Sequence, residues 1–293
     1  MKKKLVIVVG LLFVLLPACS YNTEYKDTSA LSLPIISDKD VSVSDAPDSS
    51  VNSCPIDMIE VSGEYCPIVE QICLRYLDKP ICNKYDSNDP TKCMPGQLRE
   101  PARCAIYRQP TKCLSKHTRA LHFCIDKYEA GVKQGELPPY MKSWLDGKAE
   151  CAAKGKRLCM DYEWTLACEG PDRKPYPYGY SRDSTACNID KDQRKGSDHS
   201  KVFKFTEQML IWLDQRVPAG SMSRCVSDYG VYDLTGNVDE ATINESREPT
   251  INALKGGHWV KGARNRCRPE TTLHPESFAN YESSYRCCKD ITH

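Results

Sequence analysis

The chain has 293 residues, 40% hydrophobic and 27% charged, an ordinary globular composition with material for one large domain or two small ones. Forty Lys and Arg against 39 Asp and Glu leave a net charge of +1. That balance excludes the one-sided basic excess of a nucleic-acid binder, so no nucleic-acid partner is expected. Cysteine is the outlier, with 17 residues. So many thiols point to an oxidising compartment, where cysteines pair.

Lys2, Lys3 and Lys4 open the chain, followed by an apolar run from Leu5 to Leu16. A basic start and a run this short predict an export signal over residues 1–18 rather than a membrane span. The segment Leu16-Pro17-Ala18-Cys19 resembles the lipobox of bacterial lipoproteins. The resemblance implies that Cys19 is lipidated, becomes the N-terminus and anchors the protein to a membrane of the bacterial cell envelope. Ser20 after it suits sorting to an outer membrane. Without Cys19 sixteen cysteines remain, an even number that suits a disulfide framework. Residues 20–53 are rich in Ser, Asp and Thr and carry no sustained period. They cannot bury enough apolar area to offset their ordering entropy, so 19–53 reads as a lipidated, flexible tether to a folded domain over 54–293.

Eight cysteines lie between Cys54 and Cys124, where the stretch from Cys73 to Cys113 is poor in apolar residues and rich in Pro, Asp, Asn and Lys. This predicts a loop-rich excursion held by crosslinks rather than by a core. No C-x2-C occurs, which speaks against a thioredoxin-type redox motif and the usual zinc knuckles. Connectivity is not readable, since eight cysteines allow 105 pairings. The second half holds the other eight, and adjacent Cys287 and Cys288 point to opposite faces if they lie on a strand, each needing its own partner. Two helices are predicted. Ser143 to Lys154 begins on a capping serine and stops at Gly155. Asp161 to Glu169 puts Trp164 and Cys168 on one buried face and closes at Gly170. Elsewhere Gly, Pro, Asn and Asp break the chain into short runs, which predicts many loops and few, short strands and excludes an all-helical fold. Trp144, Trp164 and Trp212 are expected in the core.

Several segments, in order, resemble the sulfatase-modifying-factor family of formylglycine-generating enzymes. Met58 to Tyr65 is similar to the family's opening strand, and Phe123 to Glu129 to its next. Lys156 to Trp164 matches its Arg-Leu-Pro-Thr-Glu-x-Glu-Trp signature at Arg157, Leu158, Glu163 and Trp164. Tyr176-Pro177-Tyr178-Gly179, Gly230 to Val238, Lys255-Gly256-Gly257-His258-Trp259 and Tyr285-Arg286-Cys287 match four further family segments. The resemblance spans roughly residues 57 to 291. It implies an α+β, loop-rich, disulfide-braced variant of the C-type-lectin fold, with the cysteine-rich stretch, about 66–120, as an insertion.

Active members of that family oxidise a substrate cysteine to formylglycine with copper held by two of their own thiolates, soft ligands suited to Cu(I). At the first thiolate position this chain has Lys261. Cys267 is the candidate for the second, and it is expected in a disulfide. Copper is expected only if the oxidase is active. The six histidines do not form the His-x3-His-x-Glu set of iron-dependent relatives. The resemblance also implies calcium, bound by the side chains of Asp233 and Glu240 and the backbone of Gly236 and Val238, a hard-oxygen set with a glycine turn. Asp239 and Ala241 stand where the family has Trp. Asn188 and Ile189 match the start of a second calcium site. Arg264, Arg266 and Arg268 alternate, so on a strand they share a face and suit an anionic ligand or a peptide carboxylate. His258 beside them is first a packing partner of Trp259.

Three functions stay open at this point. One is a catalytically divergent, calcium-stabilised recognition module for an exported protein or peptide. Another is an active oxidase that modifies exported sulfatases. The third is a purely structural envelope lipoprotein.

Overall fold

The computed structural model describes residues 54–195, 205–246 and 251–291. The predicted signal, Cys19 and the tether lie outside the described residues.

Two four-stranded sheets carry the fold. In the first, β1 (Met58–Tyr65) and β8 (Arg119–Asp126) pair antiparallel over their whole length, Met58 opposite Asp126 and Tyr65 opposite Arg119. The sheet is completed by β14 (Cys287–Asp290) and β9 (Arg157–Leu158), in the order β1-β8-β14-β9. The second sheet runs β12-β11-β10-β13, from Glu270–Thr271, Asn252–Lys255, Asp239–Ile243 and Ser283–Tyr285. Its β10–β13 pair is parallel, with Asp239 opposite Ser283.

Between β1 and β8 the cysteine-rich excursion folds into nested antiparallel rungs. β2 (Val69–Glu70) pairs with β7 (Lys112–Cys113), β3 (Cys73–Tyr76) with β6 (Cys104–Tyr107), and β4 (Ile81–Cys82) with β5 (Leu98–Glu100). One disulfide sits at each rung: Cys66–Cys113, Cys73–Cys104 and Cys82–Cys93. Crosslinks replace the missing core here, as the composition predicts. Ile68, Leu74, Tyr76, Leu77, Ile81 and Leu98 remain exposed.

Both predicted helices form. The first, α1 (Trp144–Ala153), opens with a capping box: the Asp146 N–H donates to Ser143 Oγ and the Ser143 N–H to the Asp146 carboxylate. The second, α2 (Asp161–Glu169), buries Trp164 and Cys168 together and ends at Gly170, whose φ is +64°. A third, α3 (Glu207–Leu213), is not legible in the sequence pattern; it is short and starts on Thr206, whose hydroxyl accepts from the Met209 N–H. It overturns the expectation that Trp212 is a core residue. Leu213 and Leu210 turn inward onto Trp259 and Tyr281, which leaves Trp212 57% exposed beneath the Arg194 guanidinium.

The main core lies between α2 and the first sheet, where Val61, Phe123, Ile125, Trp164, Leu166, Val231 and Leu234 meet the disulfides Cys159–Cys288 and Cys168–Cys267. Cys287 bonds Cys151 on the other face of its strand, as the alternation of side chains requires. Cys54–Cys124 and Cys187–Cys225 complete eight bridges.

Candidate functional site

The turn from Asp233 to Glu240 is built from backbone that few residues adopt. Asp233, Gly236 and Asn237 have φ of +61°, +80° and +57°. Only glycine fits at 236, because an added Cβ would stand 2.3 Å from the Asn188 carbonyl oxygen. That carbonyl accepts from the Asn237 N–H, and the Asn188 amide donates to Asn237 Oδ1. The segments matched separately as two calcium sites thus pack against each other. Asn188 Oδ1 is buried without a hydrogen-bond partner.

Glu129, which sequence reasoning did not single out, anchors this turn from outside it. Its carboxylate accepts from Asn237 Nδ2 at 2.7 Å and from the Val238 N–H at 3.2 Å. Burial, then the charges of Asp233 and Glu240, hold Glu129 well above the usual carboxylate range. Burial likewise pushes Asp233 up to about 6, although the Gly220 N–H donates to its Oδ2. Glu240 is raised by burial against the pull of Arg286.

The geometry at Glu240 departs from the ligand role that the resemblance implies. Arg286, itself fully buried, grips both its oxygens at 2.6 Å, and Trp164 Nε1 donates to Oε2 at 2.6 Å. Glu240 is half of a buried ion pair. Three buried carboxylates against one guanidinium still leave a surplus of negative charge, and a hard cation suits that surplus and the oxygen donors of Asp233, Glu129 and Asn188. In charge and donor type these residues fit calcium; Glu240 does not.

A second locus surrounds the position where the family places its first thiolate. Lys261 forms an ion pair with Asp192. Cys267 is fully buried and bonded to Cys168, 99 residues away in sequence. Among the described residues every cysteine is in a disulfide. Lys261, His258, Arg264 and Arg99 line a cleft of about 350 Å³. His258 packs edge-on against Trp259, as expected, with ring centroids 5.7 Å apart. It also lies between two acids: Nδ1 is 3.5 Å from Asp239 Oδ2, and Nε2 is 3.5 Å from Glu282 Oε2. Desolvation alone would lower the imidazole pKa; Glu282 and Asp239 outweigh it and raise it. Burial would raise Asp239, but Arg264 and His258 hold it well below the carboxylate range.

The three alternating arginines do not share a strand face. Residues 264–268 pass through a turn and a bend rather than a strand, and each side chain is recruited separately. Arg264 is bidentate to Asp239, at 3.0 and 2.6 Å. Arg268 is bidentate to buried Glu169, at 2.7 Å twice, and donates to the carbonyls of Cys66 and Pro67 at the root of the excursion. Arg266 lies over the Tyr107 ring, in the wall of a cleft of about 560 Å³ that Tyr76, Leu98 and Pro101 also line. Interior carboxylates for Arg264 and Arg268, and the Tyr107 ring for Arg266, all invisible to a local pattern, set these directions.

Comparison with known proteins follows the same segments. The sequence pattern of the sulfatase-modifying factor enzyme 1-like domain matches residues 85–291. Inactive C-alpha-formylglycine-generating enzyme 2 of Bos taurus is 29% identical over 169 residues, 54% of this chain and 52% of that protein. Formylglycine-generating enzyme of Bos taurus is 27% identical over 172 residues, 50% of this chain and 42% of that protein. The chain therefore spans about half the length of the curated relatives it matches. Among solved structures, CarF aligns over 81% of this chain and 99% of its own, with 15% identity and a TM-score of 0.46. PvdO from Pseudomonas aeruginosa aligns over 82% and 96%, with 13% identity and a TM-score of 0.45.

Proposed function

Since the chain belongs to the sulfatase-modifying factor enzyme 1-like family, we propose that it is a catalytically divergent member: an exported lipoprotein, tethered to the bacterial envelope through Cys19, whose domain is a calcium-stabilised recognition module for an exported protein or peptide. The observation that carries this reading is the Cys168–Cys267 bond. A thiolate must be deprotonated and unpaired to ligate copper. The one cysteine that could serve is oxidised, and Lys261 at the other position carries an ammonium already paired with Asp192. Two mammalian relatives bear the word inactive in their names, which supports the same reading. For recognition, the excursion offers exposed apolar side chains beside the cleft walled by Tyr76, Leu98 and Arg266. Calcium would be held by Asp233 with the backbone of Gly236 and Val238, and would offset the buried negative charge shared with Glu129.

The test is to incubate the purified full chain with copper, oxygen and a sulfatase-derived Cys-x-Pro-x-Arg peptide, and to look for the aldehyde by mass spectrometry. No product is expected. Turnover that disappears in Cys267→Ser would overturn the reading and establish the chain as a working oxidase.

A further inference from the structure

We propose that Asp239, His258 and Glu282 form a binding site for a divalent transition-metal ion of the zinc type, opening on the cleft that carries Lys261. One donor atom from each of the three lies within 4.8 Å of the others, and among the described residues no other group of three such side chains is gathered so closely. Tetrahedral ligands about 2.1 Å from an ion stand roughly 3.4 Å from one another. The two ring-to-carboxylate distances are 3.5 Å but run to opposite nitrogens of the ring, Nδ1 for Asp239 and Nε2 for Glu282. Binding one ion therefore requires the imidazole or the Glu282 side chain to turn, so that both carboxylates face the same nitrogen within the 4.8 Å cluster.

The backbone brings the three donors together from distant parts of the chain. Asp239 begins β10, its N–H donates to the Glu282 carbonyl, and the β10–β13 register places Glu282 beside it. His258 arrives through Gly256 and Gly257, both at positive φ, and Asn265 Nδ2 donates to the His258 carbonyl at 2.5 Å. Arg264 holds Asp239 in a bidentate grip, yet a carboxylate has about four acceptor sites and keeps room for an ion. A hydrogen bond to a ligating carboxylate is the usual outer support of a metal site. One imidazole and two carboxylates suit Zn2+; soft Cu(I) would want thiolates, and Ca2+ would want oxygens alone. The His258 side chain is 16% exposed toward the cleft, so a fourth position stays open to water or to an anionic group of a ligand. Zinc and the Arg264 guanidinium together outweigh the two carboxylates by one positive charge, which such an anion neutralises.

The experiment strips the full chain with chelator and titrates it with Co2+, then Zn2+. One equivalent of Co2+ should give the visible absorption of a tetrahedral nitrogen–oxygen site, and Zn2+ should displace it. Glu282→Gln should weaken binding at least ~10-fold, and His258→Gln should abolish the band while leaving the near-ultraviolet circular dichroism unchanged. Asp233→Asn should keep the band, which separates this site from the calcium reading. If His258→Gln perturbs the fold, Glu282→Gln decides alone. Absence of the band in the unaltered chain, or a band indifferent to Glu282→Gln, would overturn the proposal.

Discussion

At the scale of single residues, Glu240 and Asp233 show how one matched motif can hold two different kinds of carboxylate. Glu240 takes both of its hydrogen bonds to a cation from Arg286, whereas Asp233 accepts from the Gly220 N–H and is raised by burial despite the pull of the same guanidinium. The calcium reading therefore separates the two variants. A ligand present at about 100 times its Kd stabilises by about 2.7 kcal/mol, or roughly 5–10 °C in Tm for a domain of this size. That rise is expected in the unaltered chain and is expected to vanish in Asp233→Asn, a substitution that keeps the left-handed backbone comfortable. Glu240→Gln should instead lower Tm without calcium, because it strands a buried guanidinium, and should keep the calcium-induced rise. Differential scanning fluorimetry with and without chelator reads both. Lys255 gives a residue-scale test independent of any ion. Burial pulls its pKa from 10.5 to about 8, against the charges of Glu270 and Asp161; its ammonium donates to the Arg268 carbonyl and sits 5.4 Å from the Trp164 ring centre. Between pH 8 and 10.5 the unfolded chain holds the proton more tightly than the folded one, so stability rises with pH in that window. The gain attributable to this group is on the order of 3 kcal/mol. Lys255→Met should flatten the rise, as measured by urea unfolding at pH 7.5, 9 and 10.

At the scale of elements, the two long helices were legible because their signals are local: a capping serine for α1, the Trp164–Cys168 spacing for α2, and a glycine just past the end of each. The strand pair β1–β8 was legible through the segments that resemble the family. The helix α3 and the course of Arg264 to Arg268 were not. Helix α3 spans only seven residues, and the three arginines answer to Asp239, Tyr107 and Glu169, two of which are more than 90 residues distant. Glu129 was missed for the same reason, since nothing in its own segment says that it will bond Asn237 and Val238. The nested rungs between β1 and β8 were foreseen as a crosslinked excursion, though their pairing was not, and they make their own prediction. Chain-entropy arithmetic assigns about 3 kcal/mol to Cys82–Cys93, which closes 11 residues, and about 5 kcal/mol to Cys151–Cys287, which closes 136. Location widens that gap, because the first bond lies at an exposed tip and the second joins α1 to β14 among buried residues. Replacing both members of the inner pair with serine should cost roughly 10–20 °C of the main thermal transition. The same change at Cys82 and Cys93 should leave that transition nearly in place. Calorimetry on the two double variants distinguishes a crosslinked appendage from a cooperative part of the fold.

At the scale of the whole molecule, the described domain and the first 53 residues divide the labour that the proposed function requires. The domain spends its cysteines on eight bridges, which consume all sixteen between Cys54 and Cys288 and leave Cys19 as the odd one. No helix among the described residues is long and apolar enough to cross a membrane. Attachment through Cys19 is motivated instead by Lys2 to Lys4, the apolar run after them and the small residue before the cysteine. A single acyl chain gives only marginal membrane binding, so stable anchoring needs more than one chain on the terminal cysteine. Once residues 1–18 are removed with Lys2, Lys3 and Lys4, 37 basic side chains stand against 39 acidic ones, a net charge of −2, so the protein brings no overall electrostatic attraction to an anionic membrane surface. On the proposed reading, the lipid on Cys19 would act almost alone. Cells grown with a clickable fatty-acid analogue should label the full chain, and fractionation should place it with the membranes. Cys19→Ala should lose the label and move the protein to the soluble fraction, with Tm of the domain unchanged because the substituted residue precedes Cys54, the first bridged cysteine, by 35 positions in sequence. Label retained by Cys19→Ala, or membrane association that survives it, would mean that the protein is held by something other than this cysteine.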